Sequence, residues 1–298
     1  MDKPTAEIVL GSIDNPVLPF FSPDGQWIGY WSLADRELKK ISVGGGTPVT
    51  LCNVDYFTGA SWNADNTIVY GASISEILRV SGEGGTPETL FKSGNIEVVA
   101  FPQILPEKNW VLFTSITGKE EQIVVQSLES EVRKKLIQGK AGRYLPTGHI
   151  VYGSGNNLFA AAFDLDSLEL SGSPALIIEG IAGGSTSESP QFAVSDSGTL
   201  AYISGIGSSS RLNQRILVWV DRQGNEIPIP VPPGVYFGPR TSPDGTQIAL
   251  TVDSGQNTDI YIWDTVRENL RQLTFNEADE AGLLYSNNSY FRTWPDVH

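Results

Sequence analysis

The sequence predicts an all-β protein, a β-propeller of about six four-stranded blades. A tight-turn motif recurs six times between short apolar segments. The copies are separated by about 40–50 residues, an interval typical of propeller blades. The 31 glycines and 18 prolines punctuate the 298-residue chain at short intervals, as expected for many short strands joined by turns.

The turn motif is clearest in Ser22-Pro23-Asp24-Gly25, which separates two apolar segments. Proline presets φ, aspartate accepts hydrogen bonds from nearby backbone, and glycine tolerates a positive φ. Related turns begin at Asn63, Leu105, Leu145, Ser195 and Ser242. We therefore interpret the acidic residues Asp24, Asp65, Asp196 and Asp244 as turn formers.

Two further apolar segments follow each turn, as in Leu38–Val43 and Pro48–Leu51, so each repeat supplies four strands. This predicts a single propeller domain over 1–298, with blades at 14–52, 53–93, 94–138, 139–179, 180–231 and 232–275. A β-sandwich is the alternative, but it does not explain so regular a repeat. Residues 276–298 lack the turn motif. The strand that closes the ring could come from 7–10 or from 283–291, and the sequence does not decide between them.

Several long segments resemble the TolB-like (WD40-like) propeller repeats, above all the propeller regions of bacterial serine/threonine protein kinases and their stand-alone relatives. The motifs PFFSPDGQWIGYWS, FAVSDSGTLAYISG and PRTSPDGTQIALTV carry the resemblance, which extends from Pro16 to Phe275. Family members generally have further blades at both ends. The sequence has none of the kinase motifs VAIK, HRD and DFG, so the resemblance implies a propeller and not a kinase.

Charge and composition exclude several partners. The net charge of −14 would repel the phosphates of nucleic acids. No apolar run reaches the ~18 residues of a membrane span, and Met1–Gly11 lacks the features of a signal peptide. Cys52 is the single cysteine, so no internal disulfide is expected. These features leave the compartment open: a periplasmic or extracellular protein, or a cytoplasmic module of a longer bacterial one.

A recurring acid suggests a metal site. Asp14, Asp55 and Glu97 each precede the acidic turn residue by ten positions, and Glu188 precedes Asp196 by eight. Loops that enter the innermost strands of a propeller converge at one mouth of its central channel. The four acids are therefore predicted to form a carboxylate ring that binds Ca²⁺ or, less favourably, Zn²⁺. The alternative is an acidic funnel without metal, or acids that point to solvent.

Aromatic and basic residues occupy corresponding loops and are predicted to contact an anionic or aromatic ligand. These predicted ligand-binding residues are Tyr56, Arg143, Tyr144, Tyr236 and Arg240. In the alternative interpretation, the two arginines simply pair with neighbouring acids. The tryptophans Trp27, Trp62, Trp110, Trp219 and Trp263 are interpreted as inter-blade packing residues.

The residues favour a binding or scaffold module, which presents its channel mouth to a protein, a peptide or a small molecule. His149 and His298 are the only histidines, and neither lies in a recognisable catalytic motif. The alternative is a hydrolase that uses Ca²⁺ or Zn²⁺ to cleave an ester, a lactone or a phosphotriester at the acidic mouth. A third hypothesis is a domain with only a structural role in a longer chain. The sequence does not decide whether the protein is an enzyme.

Overall fold

The computed structural model describes residues 16–275, except 73–74, 95–96, 107–108, 184–188, 197, 205–215, 221–225, 232–233 and 254–257. These residues form six antiparallel sheets of four strands each, arranged as a propeller. The predicted all-β propeller of six four-stranded blades is thus confirmed. No helix occurs among the described residues, and so none that is long and apolar enough to cross a membrane.

The first three blades each consist of four consecutive strands. Blade one contains β1 (Pro16–Phe21), β2 (Trp27–Ser32), β3 (Glu37–Ser42) and β4 (Val49–Asn53). Blade two contains β5 (Phe57–Trp62), β6 (Thr67–Ala72), β7 (Glu76–Ser81) and β8 (Glu88–Lys92). Blade three contains β9 (Val98–Ile104), β10 (Trp110–Thr117), β11 (Glu120–Ser127) and β12 (Arg133–Gln138).

The last three blades follow the same order. Blade four contains β13 (Lys140–Leu145), β14 (His149–Ser154), β15 (Asn157–Asp164) and β16 (Glu169–Glu179). Blade five contains β17 (Phe192–Val194), β18 (Leu200–Ile203), β19 (Leu217–Val220) and β20 (Glu226–Pro228). Blade six contains β21 (Val235–Thr241), β22 (Gln247–Asp253), β23 (Thr258–Asp264) and β24 (Asn269–Gln272).

The tight turns are held by the side chains that the motif supplies. Asp24 Oδ1 accepts hydrogen bonds from Ser22 Oγ at 2.5 Å and from the Gln26 backbone N at 3.0 Å. These two bonds lower the pKa of Asp24 despite the opposing effect of burial. Gly25 adopts a φ of +67°, which few other residues tolerate. The turn residues therefore have the structural role that the motif predicts.

The innermost strand carries a bulge at the same position in five blades. The bulge lies four residues before the tight turn of each of these blades. The pairing of the innermost strand with the next strand shifts register beside this residue, and the residue itself has a positive φ. The residues at the bulge are Leu18, Gly59, Phe101, Ala141 and Gly238. A bulge interrupts the alternation of side chains between the two faces of a strand, so it decides which side chains point into the channel.

The ring of described blades closes between blade six and blade one. Strand β1 contacts β21, β22 and β23 of blade six, and a hydrophobic cluster joins Phe21 and Tyr30 to Ile260 and Leu273. The Arg271 guanidinium also donates a hydrogen bond to the backbone carbonyl of Val43. Both segments predicted to close the ring, 7–10 and 283–291, lie outside the described residues.

Candidate ligand site in the central channel

The innermost strands surround a cavity of about 250 Å³ on the propeller axis. It extends to the face of the propeller that carries the tight turns, because Pro23, Ala64, Asp196 and Pro243 all line it. The sequence placed the ligand site at the other end of the channel, where loops enter the innermost strands. The structure instead places this cavity among the innermost strands and the turns that follow them.

The lining of the cavity includes the residue at one equivalent position of every blade. Each of these residues lies two positions before the tight turn of its blade, and we call the set the channel ring. The channel ring consists of Phe20, Ser61, Gln103, Arg143, Ala193 and Arg240. The two arginines therefore flank the small Ala193 of blade five, which leaves room between them.

The two guanidinium groups influence each other electrostatically. Arg240 Nη1 donates to the carbonyl of Pro239 at 2.8 Å and approaches that of Phe192 at 3.5 Å. Burial, reinforced by the charge of Arg143, lowers the pKa of Arg240 to about 10. Burial also lowers the pKa of Arg143, against the opposing effect of the Asp196 carboxylate. Guanidinium groups stay protonated in proteins, so both side chains are cationic at neutral pH.

The charged lining of the cavity is net positive. Arg143 and Arg240 contribute two positive charges, and among the described lining residues Asp196 contributes the single negative charge. The protein as a whole has a net charge of −14. The cavity thus concentrates positive charge inside an acidic molecule, and low-dielectric walls strengthen the field of such charges.

Two buried hydroxyl groups of the lining have no hydrogen-bond partner among the described residues: Ser61 Oγ and Thr241 Oγ1. Gln103, in contrast, is fully engaged, since it accepts from the Tyr144 backbone N at 2.9 Å and donates to the Tyr144 carbonyl at 3.2 Å. Buried polar atoms normally find a partner in protein, water or ligand. Both oxygen atoms are themselves buried, however, and present almost no surface to the cavity.

The predicted ligand-binding residues occupy three different environments. Arg143 and Arg240 lie on β13 and β21 rather than in loops, and both line the cavity. Tyr144 is 7% exposed, and its ring packs edge-on against Phe163. Tyr236 is buried in a hydrophobic cluster, where burial raises its pKa. Tyr56 is exposed and lies outside the cavity lining.

The predicted metal ligands are not brought together in the described residues. The carboxylate of Glu97 is buried and accepts hydrogen bonds from both terminal nitrogens of Arg133 and from Ser115. Burial alone would raise the pKa of Glu97, but the bonds from Arg133, Ser115 and Ser93 together lower it. Asp55 is exposed.

Asp14 and Glu188 lie outside the described residues. Within the described ranges, no group of three His, Cys, Asp or Glu residues has the arrangement needed to hold a metal ion. The described residues therefore do not fit a Ca²⁺ or Zn²⁺ centre. The metal site and the hydrolase that depends on it remain predictions.

Sequence reasoning missed several residues of the cavity. It treated Asp196 only as a turn former, whereas its carboxylate acts on the pKa of Arg143. Trp62, which it assigned to inter-blade packing, does pack against Phe20 of blade one, but it also lines the cavity. Ser61 and Thr241 were not singled out. An alignment of the six repeats at their turns would have placed Ser61 level with Arg143 and Arg240.

The fold places the chain among β-propellers of known structure. No family model and no curated protein matches the sequence. TolB from Acinetobacter baumannii is similar with a TM-score of 0.67 and 17% identity, over 87% of this chain and 66% of that one. The chain thus spans about two thirds of the length of that protein.

Two further solved structures are similar in fold. Regucalcin from Agrobacterium tumefaciens, a calcium-binding protein, has a TM-score of 0.59 and 15% identity, over 79% of this chain and 81% of that one. Oligogalacturonate lyase, solved with manganese, has a TM-score of 0.56 and 11% identity, over 85% and 74% of the two chains. At these identities the similarities show the fold alone. The resemblance to TolB-like propellers is thus confirmed as a resemblance of fold.

Proposed function

We propose that this propeller is a binding module whose central channel takes up an anionic group of a protein, peptide or small-molecule partner. The observation that carries the proposal is the pair of arginines, Arg143 and Arg240, which line one cavity where the described residues contribute one carboxylate, Asp196. Guanidinium groups bind carboxylates and phosphates through two parallel hydrogen bonds. The pair therefore supplies both the charge and the donors that an anion requires.

The electrostatics of the empty channel support this role. Burying like charges close together destabilises a protein unless a counter-charge is present. Here burial and mutual repulsion lower the pKa of Arg240 to about 10, yet both arginines line the same cavity. A bound anion would relieve this unfavourable arrangement. Groups with perturbed pKa values in a cleft are characteristic of functional sites.

The test compares the wild type with the double variant Arg143→Gln/Arg240→Gln. Thermal unfolding is measured in sodium acetate and in sodium phosphate, against a chloride-free buffer of the same ionic strength. Arg79→Gln is the matched control, because Arg79 is exposed and pairs with Glu88 on the outside of blade two.

We expect each anion, at a concentration well above its Kd, to raise the Tm of the wild type and of Arg79→Gln by several degrees. The double variant should show no such rise, because it lacks both guanidinium groups. An equal rise of the Tm in the wild type and the double variant would contradict the proposal, since the stabilisation would then arise away from the channel.

A further inference from the structure

The cavity is divided chemically into two halves. Blades one to three contribute mostly apolar side chains to it, whereas blades four to six contribute both arginines and Asp196 together with apolar residues such as Phe192 and Val194. The apolar side chains of the first half are Leu18, Phe20, Ala60, Trp62, Phe101 and Pro102. Because neighbouring blades follow one another around the axis, the apolar half faces the half that carries Arg143 and Arg240.

Phe101, at the bulge of blade three, is one of the aromatic residues that line this cavity. It lies two positions further from the turn than the channel ring and has a φ of +53°. Its ring lies against the bare backbone of Gly59, where an added Cβ would come within 2.8 Å of Phe101 Cδ1. Phe101 is only half-buried, so part of the ring remains available. Trp62 is likewise half-buried and packs edge-on against Phe20 at 6.1 Å.

Size and charge narrow the class of ligand. The cavity of about 250 Å³ lies just below the range of about 300–1,000 Å³ typical of small-molecule pockets, which suits a ligand with a single ring. Two arginines and Asp196 give the described residues of the lining a net charge of about +1. That charge matches a carboxylate better than a phosphate monoester, which carries about −1.5 to −2 at neutral pH.

We infer that the channel selects a small aryl carboxylate, with its carboxylate between Arg143 and Arg240 and its ring against the apolar half at Phe101. This inference rests on the proposed function and specifies its ligand. The apolar half adds affinity that a bare anion does not gain, because it removes the ligand ring from water. Offset or edge-on contacts between the ligand ring and an aromatic side chain add further affinity.

Isothermal titration with benzoate, acetate and the neutral benzamide tests the inference. The variants are Phe101→Ala, Phe101→Leu and the double arginine variant. Alanine fits the bulge, because Ala141 occupies the same position in blade four with the same φ of +53°. Phe91→Ala is the matched control, since Phe91 packs on Phe113 and lies outside the cavity lining.

We expect the wild type to bind benzoate at least ten times more tightly than acetate, and not to bind benzamide measurably. Phe101→Ala should reduce this preference to less than about threefold, Phe101→Leu should give an intermediate value, and Phe91→Ala should retain the preference. The double arginine variant should no longer bind benzoate or acetate.

The unfavourable outcomes are distinct from one another. Equal affinity of the wild type for benzoate and acetate, or for benzoate and benzamide, would overturn the inference that the channel selects an aryl carboxylate. A preference unchanged in both Phe101 variants would overturn the role of the apolar half. If acetate and benzoate bind to neither the wild type nor the Phe91→Ala control, the proposed anion site itself fails.

Discussion

Replacement of Arg240 by glutamine should stabilise the empty protein. The substitution removes one of two facing positive charges from the channel and retains a polar side chain at that position. The fall in the pKa of Arg240 from the usual value of an arginine to about 10 corresponds to about 3 kcal/mol of disfavoured charge, at about 1.4 kcal/mol per pH unit. Arg240 is partly accessible to solvent, which screens the charge, so we expect a gain of about 1–2 kcal/mol.

The sign of this effect follows from proton binding. Because the pKa of Arg240 is lower in the folded state, the unfolded chain binds more protons in the interval between about pH 10 and the usual pKa of an arginine. The penalty is therefore fully present at pH 7 and is relieved as the pH rises through that interval. Arg240→Gln should remove the corresponding part of the rise in stability with pH.

Urea unfolding of extensively dialysed protein at pH 7 measures the effect. We expect a higher midpoint for Arg240→Gln with an unchanged m-value, which indicates altered stability rather than altered compactness. Arg79→Gln is the surface control and should change the free energy of unfolding by less than about 1 kcal/mol. A loss of stability in Arg240→Gln would refute the reasoning, because Arg240 would then stabilise the empty channel.

Two further substitutions test the packing around the channel. Glu97→Gln should lower the free energy of unfolding by about 3–5 kcal/mol, because it leaves the Arg133 guanidinium without its buried carboxylate. Glu88 is exposed and provides the control: Glu88→Gln should lower the free energy of unfolding by less than about 1 kcal/mol. Because its hydrogen bonds hold the pKa of Glu97 below the usual value of a glutamate, its stabilising contribution should be lost in the wild type as the pH falls through that lowered pKa. Equal acid unfolding profiles of the wild type and Glu97→Gln would contradict this. Gly71→Ala should lower the free energy of unfolding by about 1–3 kcal/mol, because a Cβ there would lie 2.8 Å from a backbone carbonyl of blade three. Gly44→Ala is the control, since a Cβ at Gly44 would meet only one atom, at 3.5 Å. Equal urea midpoints of the two variants would disprove the close contact at Gly71.

The fold was predictable because its signals are short-range. A turn such as Ser22–Gly25 is specified by four neighbouring residues whose backbone preferences and hydrogen bonds are local. Six copies of that signal at a regular interval define the blades without any knowledge of long-range contacts. The order of strands in each sheet then follows from their order in the chain.

The site was less predictable because it depends on the bulge. The positive φ of Leu18, Phe101 and Ala141 has no local sequence signal, since these residues rarely adopt it. The bulge shifts the alternation of side chains, so the sequence did not show which residues of the innermost strand face the channel. The pairing of Glu97 with Arg133 was hidden for a related reason, because it joins residues far apart in the chain.

The channel ring has a consequence for how such a protein diversifies. Each blade contributes one side chain to the ring, and each of these side chains belongs to a separate stretch of four consecutive strands. Duplication, exchange or mutation of a single blade would therefore alter one sector of the channel wall and leave the other five in place. Ligand preference can change in such steps, because the scaffold that holds the sectors apart is the same in every blade.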